Sequence, residues 1–414
     1  MIKIIPNYSC VVFKRCYMDI KDFLVVGAGP AGLAFASSIN TSNVLVVDLG
    51  KPVSERCRHS PEECVQGAGG AGLFSDGKFS FYPAGTELWK GDVTILKEAY
   101  NLLEKDFSPY GIIPPFPEIT PGNHCLQDNS GWCFKPYPSL YLSLEARYSL
   151  IDALANRCSK ILYETECINY RPINEGYLVM LKSRSCDEPF FVKTKELVLA
   201  GGRFMPLFLQ AKKRFRRYEF GFRITGPADC FQKDGAYIDP KYILHQPGVE
   251  WRTFCWCERG EVVLTRFKEI QSYSGRADCA PTDSSNFGFN IRVKDEQLLS
   301  KADFQKLLKL APFQTSLSHF CNNMTDYYPP SCARLIEYGL SRLLERFPSL
   351  NDTNISVVGP TIEGVGHYPD VDKISIIGDC GGSYRGIIPS MLSGYSLAFI
   401  HNQNEVFYDC IKSN

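Results

Sequence analysis

Small residues and one aspartate near the start of the chain have the spacing of a dinucleotide-binding site. The fingerprint Gly-x-Gly-x-x-Gly directly follows a short apolar run, as expected where a buried strand turns into a helix. The first glycine permits a tight turn, the second lets the backbone approach a pyrophosphate, and the third lets the helix pack against the strand. An acidic residue after the next apolar run is placed to bind a ribose hydroxyl. The sequence therefore predicts a nucleotide site at Gly27, Gly29, Ala31, Gly32 and Asp48.

A second motif near the end of the chain indicates which dinucleotide is bound. Residues 374–398 contain an apolar run, then Gly378 and Asp379, a loop of small residues, and a helical stretch from about Ile387. This arrangement resembles the C-terminal motif of FAD-binding flavoproteins. The resemblance implies that Asp379 contacts the ribityl chain or the pyrophosphate of FAD. It also implies that the helix after Gly386 directs its N-terminus at the flavin, where its dipole stabilises the charge of the reduced ring.

A third glycine-rich stretch, GAGGAGLFSDGK at residues 67–78, also fits the fingerprint. The segment before it is polar and rich in turn-forming residues, so this loop does not follow a buried strand as a phosphate fingerprint should. We expect it to lie against the first glycine loop, so that one nucleotide is contacted twice. Its predicted contributions are Gly70 and the polar residues Ser75, Asp76 and Lys78.

Several blocks of the sequence resemble a group of FAD-dependent proteins known as NAD(FAD)-utilising dehydrogenases. The blocks are the 67–78 loop, LVLAGGR at 197–203, RTFCWCERGEVV at 252–263, PTIEGVGHYPD at 360–370 and the C-terminal motif. The resemblance covers most of residues 22–400. It implies a two-domain flavoprotein fold, like that of glutathione reductase and related hydroxylases, without implying a substrate. It also implies that Gly201 returns to the nucleotide and that residues 164–168, including Cys167, lie near the adenine.

Few side chains have to be catalytic in a flavoprotein, because the cofactor carries the redox chemistry. His367 and Tyr368 precede the last apolar run, where such folds bring backbone beside the flavin, and histidine is suited to acid–base work near neutral pH. Arg385 lies at the expected flavin edge and is suited to pair with an anionic substrate. These three residues are the predicted catalytic set, and Arg223 and Arg252 are further candidates for binding an anion.

Cysteine is abundant, with 17 in the chain, but forms no repeated pair of the zinc-binding type. We therefore expect no metal site and reduced cysteines in a cytoplasmic protein. Cys255 and Cys257 leave two interpretations open, because residues two apart in a strand face the same side. They either form a redox pair or pack as small apolar groups, and packing is favoured because so short a ring is strained.

The chain has 45 basic and 45 acidic side chains, so the molecule as a whole does not attract nucleic acid electrostatically. A local exception is the stretch Lys212–Arg217, which interleaves basic and aromatic residues. It is either a solvated basic face or a nucleic-acid contact. No apolar run reaches the length needed to span a membrane. The sequence does not indicate an oligomeric state.

Together these features predict an FAD-dependent oxidoreductase that performs two-electron, hydride-type chemistry on a small organic substrate, for instance at a C–N bond. The expected redox partner is either oxygen or NAD(P)H as a diffusing reductant. One alternative is an enzyme of nucleic-acid base modification, such as oxidation or isomerisation of an amino-acid adduct on thymidine in phage DNA hypermodification, which would place it in a host cytoplasm. Another is a flavin-binding protein without turnover.

The expected fold class is α/β, with a discontinuous Rossmann-type FAD-binding domain and an inserted α+β substrate domain. Residues 1–17 are interpreted as an N-terminal extension and 18–205 as the first part of the FAD-binding domain, in which 83–139 cover the active site. Residues 206–345 form the expected substrate domain and 346–414 the C-terminal part of the FAD-binding domain. Because no second strand–fingerprint–helix unit occurs, a dedicated nicotinamide domain is not expected.

Overall fold

A computed structural model describes residues 16–120, 122, 124–231, 237–352, 354–370 and 374–412. The strands are β1 Cys16–Val26, β2 Val44–Val47, β3 Lys78–Ser80, β4 Leu126–Gln127, β5 Trp132–Lys135, β6 Ser139–Tyr141, β7 Ile161–Leu162, β8 Thr165–Ile173, β9 Gly176–Ser183, β10 Phe190–Leu199, β11 Lys213–Pro227, β12 Lys241–Gln246, β13 Val249–Cys257, β14 Glu261–Phe267, β15 Ile270–Arg276, β16 Ser284–Val293, β17 Phe313–Ser316, β18 Ser356–Pro369 and β19 Ser375–Ile376. The α-helices are α1 Pro30–Ala36, α2 Val93–Phe107, α3 Leu144–Arg157, α4 Met205–Phe208, α5 Lys301–Leu307, α6 Leu317–Asn322, α7 Met324–Tyr327, α8 Pro330–Arg346 and α9 Ile387–Lys412.

The first sheet carries the nucleotide fingerprint at its centre. Its strands run in the order β7–β2–β1–β10–β9–β8, and β19 pairs with β10. Strands β7, β2, β1, β10 and β19 are parallel, whereas β8, β9 and β10 form an antiparallel meander. In β1, Phe23 and Val25 pack toward helices α1, α3 and α9, while Leu24 and Val26 pack toward the meander. Burial on both faces explains the continuous apolar run, and the Rossmann-type prediction is confirmed.

Strand β1 is longer than its apolar run indicates. It begins at Cys16, which pairs with Phe191 of β10, and its register shifts between Tyr17 and Lys21. The predicted boundary after residue 17 therefore falls inside the strand, because main-chain pairing continues beyond the part that the core buries. The first 15 residues of the predicted extension lie outside the described part of the chain.

The second sheet is antiparallel and runs in the order β17–β18–β11–β16–β13–β12–β5–β4. One face is apolar and packs against helices α5, α6 and α8, with Phe220, Phe289 and Ile336 in this core. The opposite face carries polar and charged residues, including Glu219, Arg252 and Arg292. This alternation is the pattern of a sheet with one buried face, and it confirms the predicted α/β class with an additional antiparallel sheet.

Two parts of the second sheet come from outside residues 206–345. Strands β4 and β5 belong to the segment expected to cover the active site, and β18 belongs to the C-terminal region. Both additions are pairings between distant segments, which local periodicity does not report. Within the described ranges, no helix is both long and apolar enough to cross a membrane.

Candidate cofactor and substrate cleft

A cleft with a volume of about 1010 Å³ lies between the two sheets. All of the predicted cofactor-binding residues except Gly32 line it, together with Arg385. They are Gly27, Gly29, Ala31, Asp48, Gly70, Ser75, Asp76, Lys78, Cys167, Gly201, Gly378, Asp379, Gly386 and Ile387. The fold therefore brings the first glycine loop, the second glycine loop and the C-terminal motif to one cavity.

The first glycine loop has the close approaches that its sequence indicates. Gly27 has φ +114°, and a Cβ there would lie 2.5 Å from the carbonyl oxygen of Ala200. A Cβ on Gly32 would lie 2.0 Å from the carbonyl oxygen of Gly27, so Gly32 lets α1 pack on the loop and does not itself reach the cleft. Gly29 differs, because its Cβ would meet only Gly70, at 3.9 Å. The open space beside Gly29 leaves room for a ligand to approach the backbone.

Asp48 lies at the end of β2, with its carboxylate held by the loops on either side. Its Oδ2 accepts the Ala28 N–H at 2.7 Å, and its Oδ1 accepts the Gly50 N–H at 2.8 Å. Burial raises the pKa of Asp48, and these two backbone N–H groups oppose the rise. The backbone bonds fix the carboxylate at the cleft wall, and each oxygen retains a lone pair for a ribose hydroxyl.

The second glycine loop folds back onto the first. The Gly69 N–H donates to the Ala28 carbonyl oxygen at 2.9 Å, and a Cβ on Gly70 would lie 3.4 Å from the Cα of Gly29. A Cβ on Gly72 would lie 2.6 Å from Cγ1 of Ile387, at the start of α9. The two loops and the C-terminal motif thus form adjoining walls of the same cavity.

Arg56 supports this arrangement, and sequence reasoning did not find it. Its Nη1 donates to the carbonyl oxygens of Ala68 at 2.5 Å and Gly70 at 3.0 Å, and its guanidinium lies 4.8 Å from the ring centre of Phe74. Burial lowers the pKa of Arg56 to about 10, and Asp48 opposes that change. Arg56 lies in a polar segment without periodicity, so no local signal distinguishes it from a surface arginine.

The C-terminal motif supplies a polar atom without a partner. Oδ2 of Asp379 accepts from Nε of Arg385 at 3.0 Å, but its buried Oδ1 has no hydrogen-bond partner among the described residues. Gly378 has φ +64°, and its N–H donates to Ser393 Oγ at 2.9 Å. A buried carboxylate oxygen without a donor is costly unless a ligand satisfies it. The glycine cradle, the Asp48 carboxylate and the free Asp379 oxygen together fit a dinucleotide such as FAD.

Lys78 of the second glycine loop is directed toward the second sheet. It is buried, donates to the Trp256 carbonyl oxygen, and lies 3.3 Å from Asp76 and 3.7 Å from Asp239. Burial alone would lower the pKa of Lys78, but the two carboxylates raise it well above its usual value. Ser75 donates from Oγ to the Gly72 carbonyl oxygen at 3.0 Å and stabilises the loop locally.

Arg385 lines the cleft but already has carboxylate partners. Its guanidinium pairs with Glu219 Oε2, with Asp379 Oδ2 and, at 3.5 Å, with Glu363 Oε2, and it also donates to the Glu363 carbonyl oxygen. Burial would lower the pKa of Arg385, but the surrounding carboxylates raise it well above its usual value. This guanidinium therefore joins the two sheets, and little of it is left to bind a substrate.

His367 and Tyr368 do not line the cleft. His367 Nε2 lies 3.1 Å from Glu296 Oε1, and its ring packs edge-on against Phe215. Tyr368 is buried, its hydroxyl accepts the Val365 N–H at 3.2 Å, and burial raises its pKa. Strand β18 lines the cleft at an earlier point, Ile362 and Glu363, while Tyr368 belongs to the core of the second sheet.

A set of cations on the polar face of the second sheet forms the wall opposite the glycine loops. We call Lys135, Lys241, Arg252 and Arg292 the sheet cations, and all four line the cleft. Lys135 of β5 is directly opposite Lys241 of β12, and Arg252 of β13 is opposite Asn290 of β16. Like charges in directly opposed strand positions are unfavourable unless something of opposite charge lies between them.

The sheet cations differ in their partners. Arg292 pairs with Glu219 and, at 3.6 Å, with Glu250. Lys135, Lys241 and Arg252, in contrast, have no carboxylate within 4.0 Å among the described residues. Burial, followed by Arg252, lowers the pKa of Lys241 to about 7, although Asp239 opposes the change. These are signs of a site that lacks a negative charge.

The basic stretch Lys212–Arg217 is not a continuous exposed surface. Arg216 donates to the Gly381 carbonyl oxygen and to Ser383 Oγ, and Arg217 Nε lies 2.9 Å from Glu219 Oε1. Lys212 and Arg214 are exposed. Two of the five basic side chains of this stretch therefore bind groups of the protein itself, next to the cleft.

Two cysteines and a histidine come together at the edge of the second sheet, although their spacing predicted no metal. One ligand atom from each of Cys125, Cys133 and His245 lies within 4.8 Å of the others. Hydrogen bonds to Cys125 and Glu250 raise the pKa of His245 to about 9. Distant pairing of β4, β5 and β12 creates this cluster, so linear spacing did not show it.

Comparison with known proteins gives no family assignment, because no family model and no curated protein matches the chain. Solved structures with a similar fold include aklavinone-11 hydroxylase in a ternary complex with FAD and aklavinone, with TM-score 0.41 and 12% identity over 92% of this chain and 62% of that one. A geranylgeranyl bacteriochlorophyll reductase-like protein from Thermoplasma acidophilum has TM-score 0.45 and 12% identity, over 94% and 80% of the two chains. A flavoprotein/dehydrogenase from Cytophaga hutchinsonii has TM-score 0.39 and 14% identity, over 92% and 79%. Likeness at this level does not indicate a function for this chain.

Proposed function

We propose that the protein is an FAD-dependent oxidoreductase that exchanges two electrons with a small, negatively charged organic substrate. The observation that carries the proposal is the composition of the cleft. One wall is built from three nucleotide-type loops that are distant in sequence, and the opposite wall carries the sheet cations. A nucleotide site facing a polar substrate surface is the arrangement that flavin chemistry requires, since cofactor and substrate must meet.

The chain's own residues would hold the cofactor in a defined way. The backbone at Gly27 and Gly29 would receive the pyrophosphate, and the Asp48 carboxylate would accept a ribose hydroxyl. The free oxygen of Asp379 would accept a further hydroxyl. When bound, FAD supplies the capacity to accept or donate a hydride, and the protein's part is to orient the substrate and exclude water.

The sheet cations define the substrate end of the cleft. Lys135, Lys241 and Arg252 have no carboxylate within 4.0 Å among the described residues, and Nε of Arg252 is buried there without a hydrogen-bond partner. A carboxylate or phosphate group on the substrate would satisfy these donors, and arginine can pair with either group in a bidentate manner. Oxidation at a C–N bond of an amino-acid-like substrate is one reaction that fits this charge, and the substrate's two electrons would then pass through the flavin to an acceptor such as oxygen. If the substrate is reduced instead, NAD(P)H is the diffusing reductant.

Base modification in nucleic acid is not preferred, because Arg216 and Arg217 already bind groups of the protein itself. A nucleic-acid contact through Lys212–Arg217 stays a prediction. Binding to DNA that weakens steeply with salt would favour it, since released counterions dominate such binding.

The first test is an anaerobic absorbance spectrum of the purified protein, supplemented with FAD, before and after NADH or NADPH is added. A flavin spectrum is the expected result. Rapid bleaching would show that a soluble nicotinamide supplies electrons, whereas bleaching only by an added anionic substrate would show that the substrate does. A protein that retains no flavin even after FAD addition would contradict the proposal.

A further inference from the structure

The segment Thr253–Cys257 departs from regular strand geometry at two cysteines. The pairing of β13 with β16 shifts register between Phe254 and Cys257, and Cys255 has φ +51°. A left-handed conformation costs a non-glycine residue free energy and persists only where its surroundings impose it. The bulge places the two sulfur atoms 3.8 Å apart. Packing alone gives no reason for a strained residue at this point.

Charged groups surround the two sulfurs. Cys255 donates its S–H to Asp76 Oδ2 at 3.1 Å, and Arg223 Nη2 lies 3.8 Å from the sulfur of Cys257. A Cβ on Gly275 would lie 2.3 Å from Arg223 Nη2 and 2.7 Å from the sulfur of Cys257, so the glycine leaves room for that contact. Lys78 is bound to the intervening carbonyl group of Trp256. An apolar packing site for cysteine contains no such charges.

The same contacts shift the pKa values of the two thiols in opposite directions. The hydrogen bond with Cys255 lowers the pKa of Cys257, and Lys78 and Arg223 act in the same direction against burial. The pKa of Cys255 is raised well above its usual value, first by its hydrogen bond with Cys257 and then by burial and Asp76. The thiol of Cys257 is thus the more acidic of the two, and the contact between the sulfurs allows them to share a proton.

The two sulfurs also differ in access. Cys255 is partly exposed and lines the cleft, whereas Cys257 is 1% exposed and lies behind it. Of the two sulfurs, a dissolved reagent can therefore reach that of Cys255 but not that of Cys257. Cys257 can react with the reagent only after the reagent is attached to Cys255.

We propose that Cys255 and Cys257 are a redox-active pair that exchanges electrons with low-molecular-weight disulfides entering the cleft. Cys255, after passing its proton to Cys257, attacks one sulfur of the disulfide and expels a thiolate. Cys257 then attacks the sulfur of Cys255, closes the Cys255–Cys257 disulfide and expels the second thiolate, which takes the shared proton. The small disulfide gains two electrons and the protein pair loses two. This exchange does not require FAD, so it stands or fails separately from the proposed oxidoreductase function.

One tryptic peptide shows directly whether Cys255 and Cys257 are reduced or joined by a disulfide. Trypsin cleaves after Arg252 and Arg259, which yields the peptide TFCWCER with these two cysteines and no others. The full-length protein is equilibrated with mixtures of reduced and oxidised glutathione, quenched with acid, alkylated and digested for mass spectrometry. We expect the unalkylated disulfide form of the peptide, which lies two hydrogen masses below the free dithiol, to replace the doubly alkylated form as the oxidised fraction rises. The doubly alkylated form should return when reduced glutathione is restored.

Serine variants test the order of the two steps. In Cys257→Ser, glutathione is expected to accumulate as an adduct on Cys255, because nothing displaces it. In Cys255→Ser, Cys257 is expected to remain unmodified, because it is buried. Cys279→Ser is the control, since it removes a half-buried thiol outside the pair and should leave the wild-type behaviour unchanged.

Three outcomes would overturn the proposal. The first is a TFCWCER peptide that stays fully reduced under conditions in which the exposed Cys57 and Cys186 carry glutathione. The second is equal glutathione labelling of Cys255 and Cys257 in the two serine variants. The third is a stoichiometric metal ion that is present in the wild type and lost in Cys255→Ser, which would make Asp76, Cys255 and Cys257 a metal site. The wild-type peptide decides the first point even if a variant fails to fold.

Discussion

Gly29 and Lys241, on opposite walls of the cleft, show what a single residue can reveal about the site. The position of Gly29 at the cleft was predictable, because the fingerprint places each glycine relative to strand and helix. The position of Lys241 was not, because its neighbours Lys135 and Arg252 come from other strands. The same reason hides the environment of Cys257, whereas Arg56 was missed because its polar segment has no periodicity. Sequence spacing indicates a site when one segment supplies all of its residues. It does not indicate a site whose residues come from several segments.

Substituting Gly29 should separate cofactor binding from folding. A Cβ at Gly29 meets nothing closer than 3.9 Å, and its φ of −74° suits alanine. We expect Gly29→Ala to leave the unfolding free energy of the FAD-free protein within about 0.5 kcal/mol of wild type. FAD affinity should fall at least about tenfold, because the methyl group occupies the space for the pyrophosphate.

Fluorescence titration with FAD and urea unfolding of the same preparations measure the two quantities. Gly111→Ala, at an exposed glycine outside the cleft, is the control for FAD affinity. Unchanged FAD affinity in Gly29→Ala would remove this loop from the cofactor site.

Lys241 should make anion binding depend on pH. Its amine faces the Tyr137 ring and lies in the field of Asp239, Arg252 and Lys135, and its pKa is lowered to about 7. Sulfate keeps its charge between pH 6 and pH 8, so it probes the protein alone. We expect the sulfate dissociation constant of the FAD-loaded protein to rise roughly tenfold across that range, because only the charged amine attracts the anion.

Lys241→Met should weaken sulfate binding at pH 6 and abolish most of the pH dependence, whereas Lys309→Met, at an exposed lysine, should change neither. The lowered pKa of Lys241 also determines how the free energy of unfolding changes with pH. The folded pKa lies below the unfolded value, so the cost of a charged Lys241 is fully present below pH 7 and disappears as the pH rises. Lys241→Met should therefore stabilise the sulfate-free protein most at low pH. Isothermal titration calorimetry and urea unfolding give the two measurements.

At the scale of elements, the connection between β1 and α1 shows why local prediction succeeded there. The apolar run, the glycines and the alanine-rich helix are contiguous, and each agrees with the others. Strands β4 and β5 show the opposite case, because they are short and join the second sheet from the segment expected to be a cover. The bulge at Cys255 also escaped prediction, since the register of β13 depends on its partner β16.

The turn at Gly27 should tolerate no side chain. Gly27 and Gly111 both have a positive φ, at +114° and +140°, so alanine at either position carries a backbone strain of about 1–2 kcal/mol. Only at Gly27 does the new Cβ also meet backbone, 2.5 Å from the Ala200 oxygen, and such overpacking adds about 1–3 kcal/mol. We expect Gly27→Ala to lower the unfolding free energy clearly more than Gly111→Ala in urea unfolding. Equal losses would mean that strand β10 can move away from the turn.

At the scale of the whole molecule, the two sheets are joined by buried charge. Glu219 of β11 is fully buried, and Arg217, Arg292 and Arg385 hold its pKa well below the usual range against the effect of burial. Arg385 comes from the C-terminal motif of the first sheet's domain, so this ion-pair network crosses the cleft. The sequence predicted a Rossmann-type domain with an inserted α+β domain, but it did not indicate the charges that connect the two sheets.

Removal of Arg385 should destabilise the protein strongly. Arg385→Met leaves Glu219, Glu363 and Asp379 with less compensating charge, and breaking a buried pair in this way costs about 3–5 kcal/mol. Lys90→Met, which breaks an exposed pair with Glu87, should cost less than about 1 kcal/mol. Urea unfolding at pH 7 measures both variants.

The pH dependence provides a second check on Arg385. A carboxylate with a depressed folded pKa stabilises the protein at neutral pH and loses that contribution as the pH falls. The deficit of Arg385→Met should therefore shrink toward acidic pH, and Glu219→Gln in the same chain should recover part of it at pH 7. A deficit that is the same at every pH would show that Arg385 acts through packing alone.

The chain order of the cleft walls has a consequence for biosynthesis. The ribosome releases the first glycine loop long before Asp379 and the start of α9, and β18 emerges shortly before them. Amino-terminal segments generally fold first during translation. The nascent protein must therefore keep an incomplete nucleotide cradle, and a second sheet that lacks β18, until these later segments have been made. Capture of the cofactor follows that step, so FAD is not a nucleus around which the earlier segments fold.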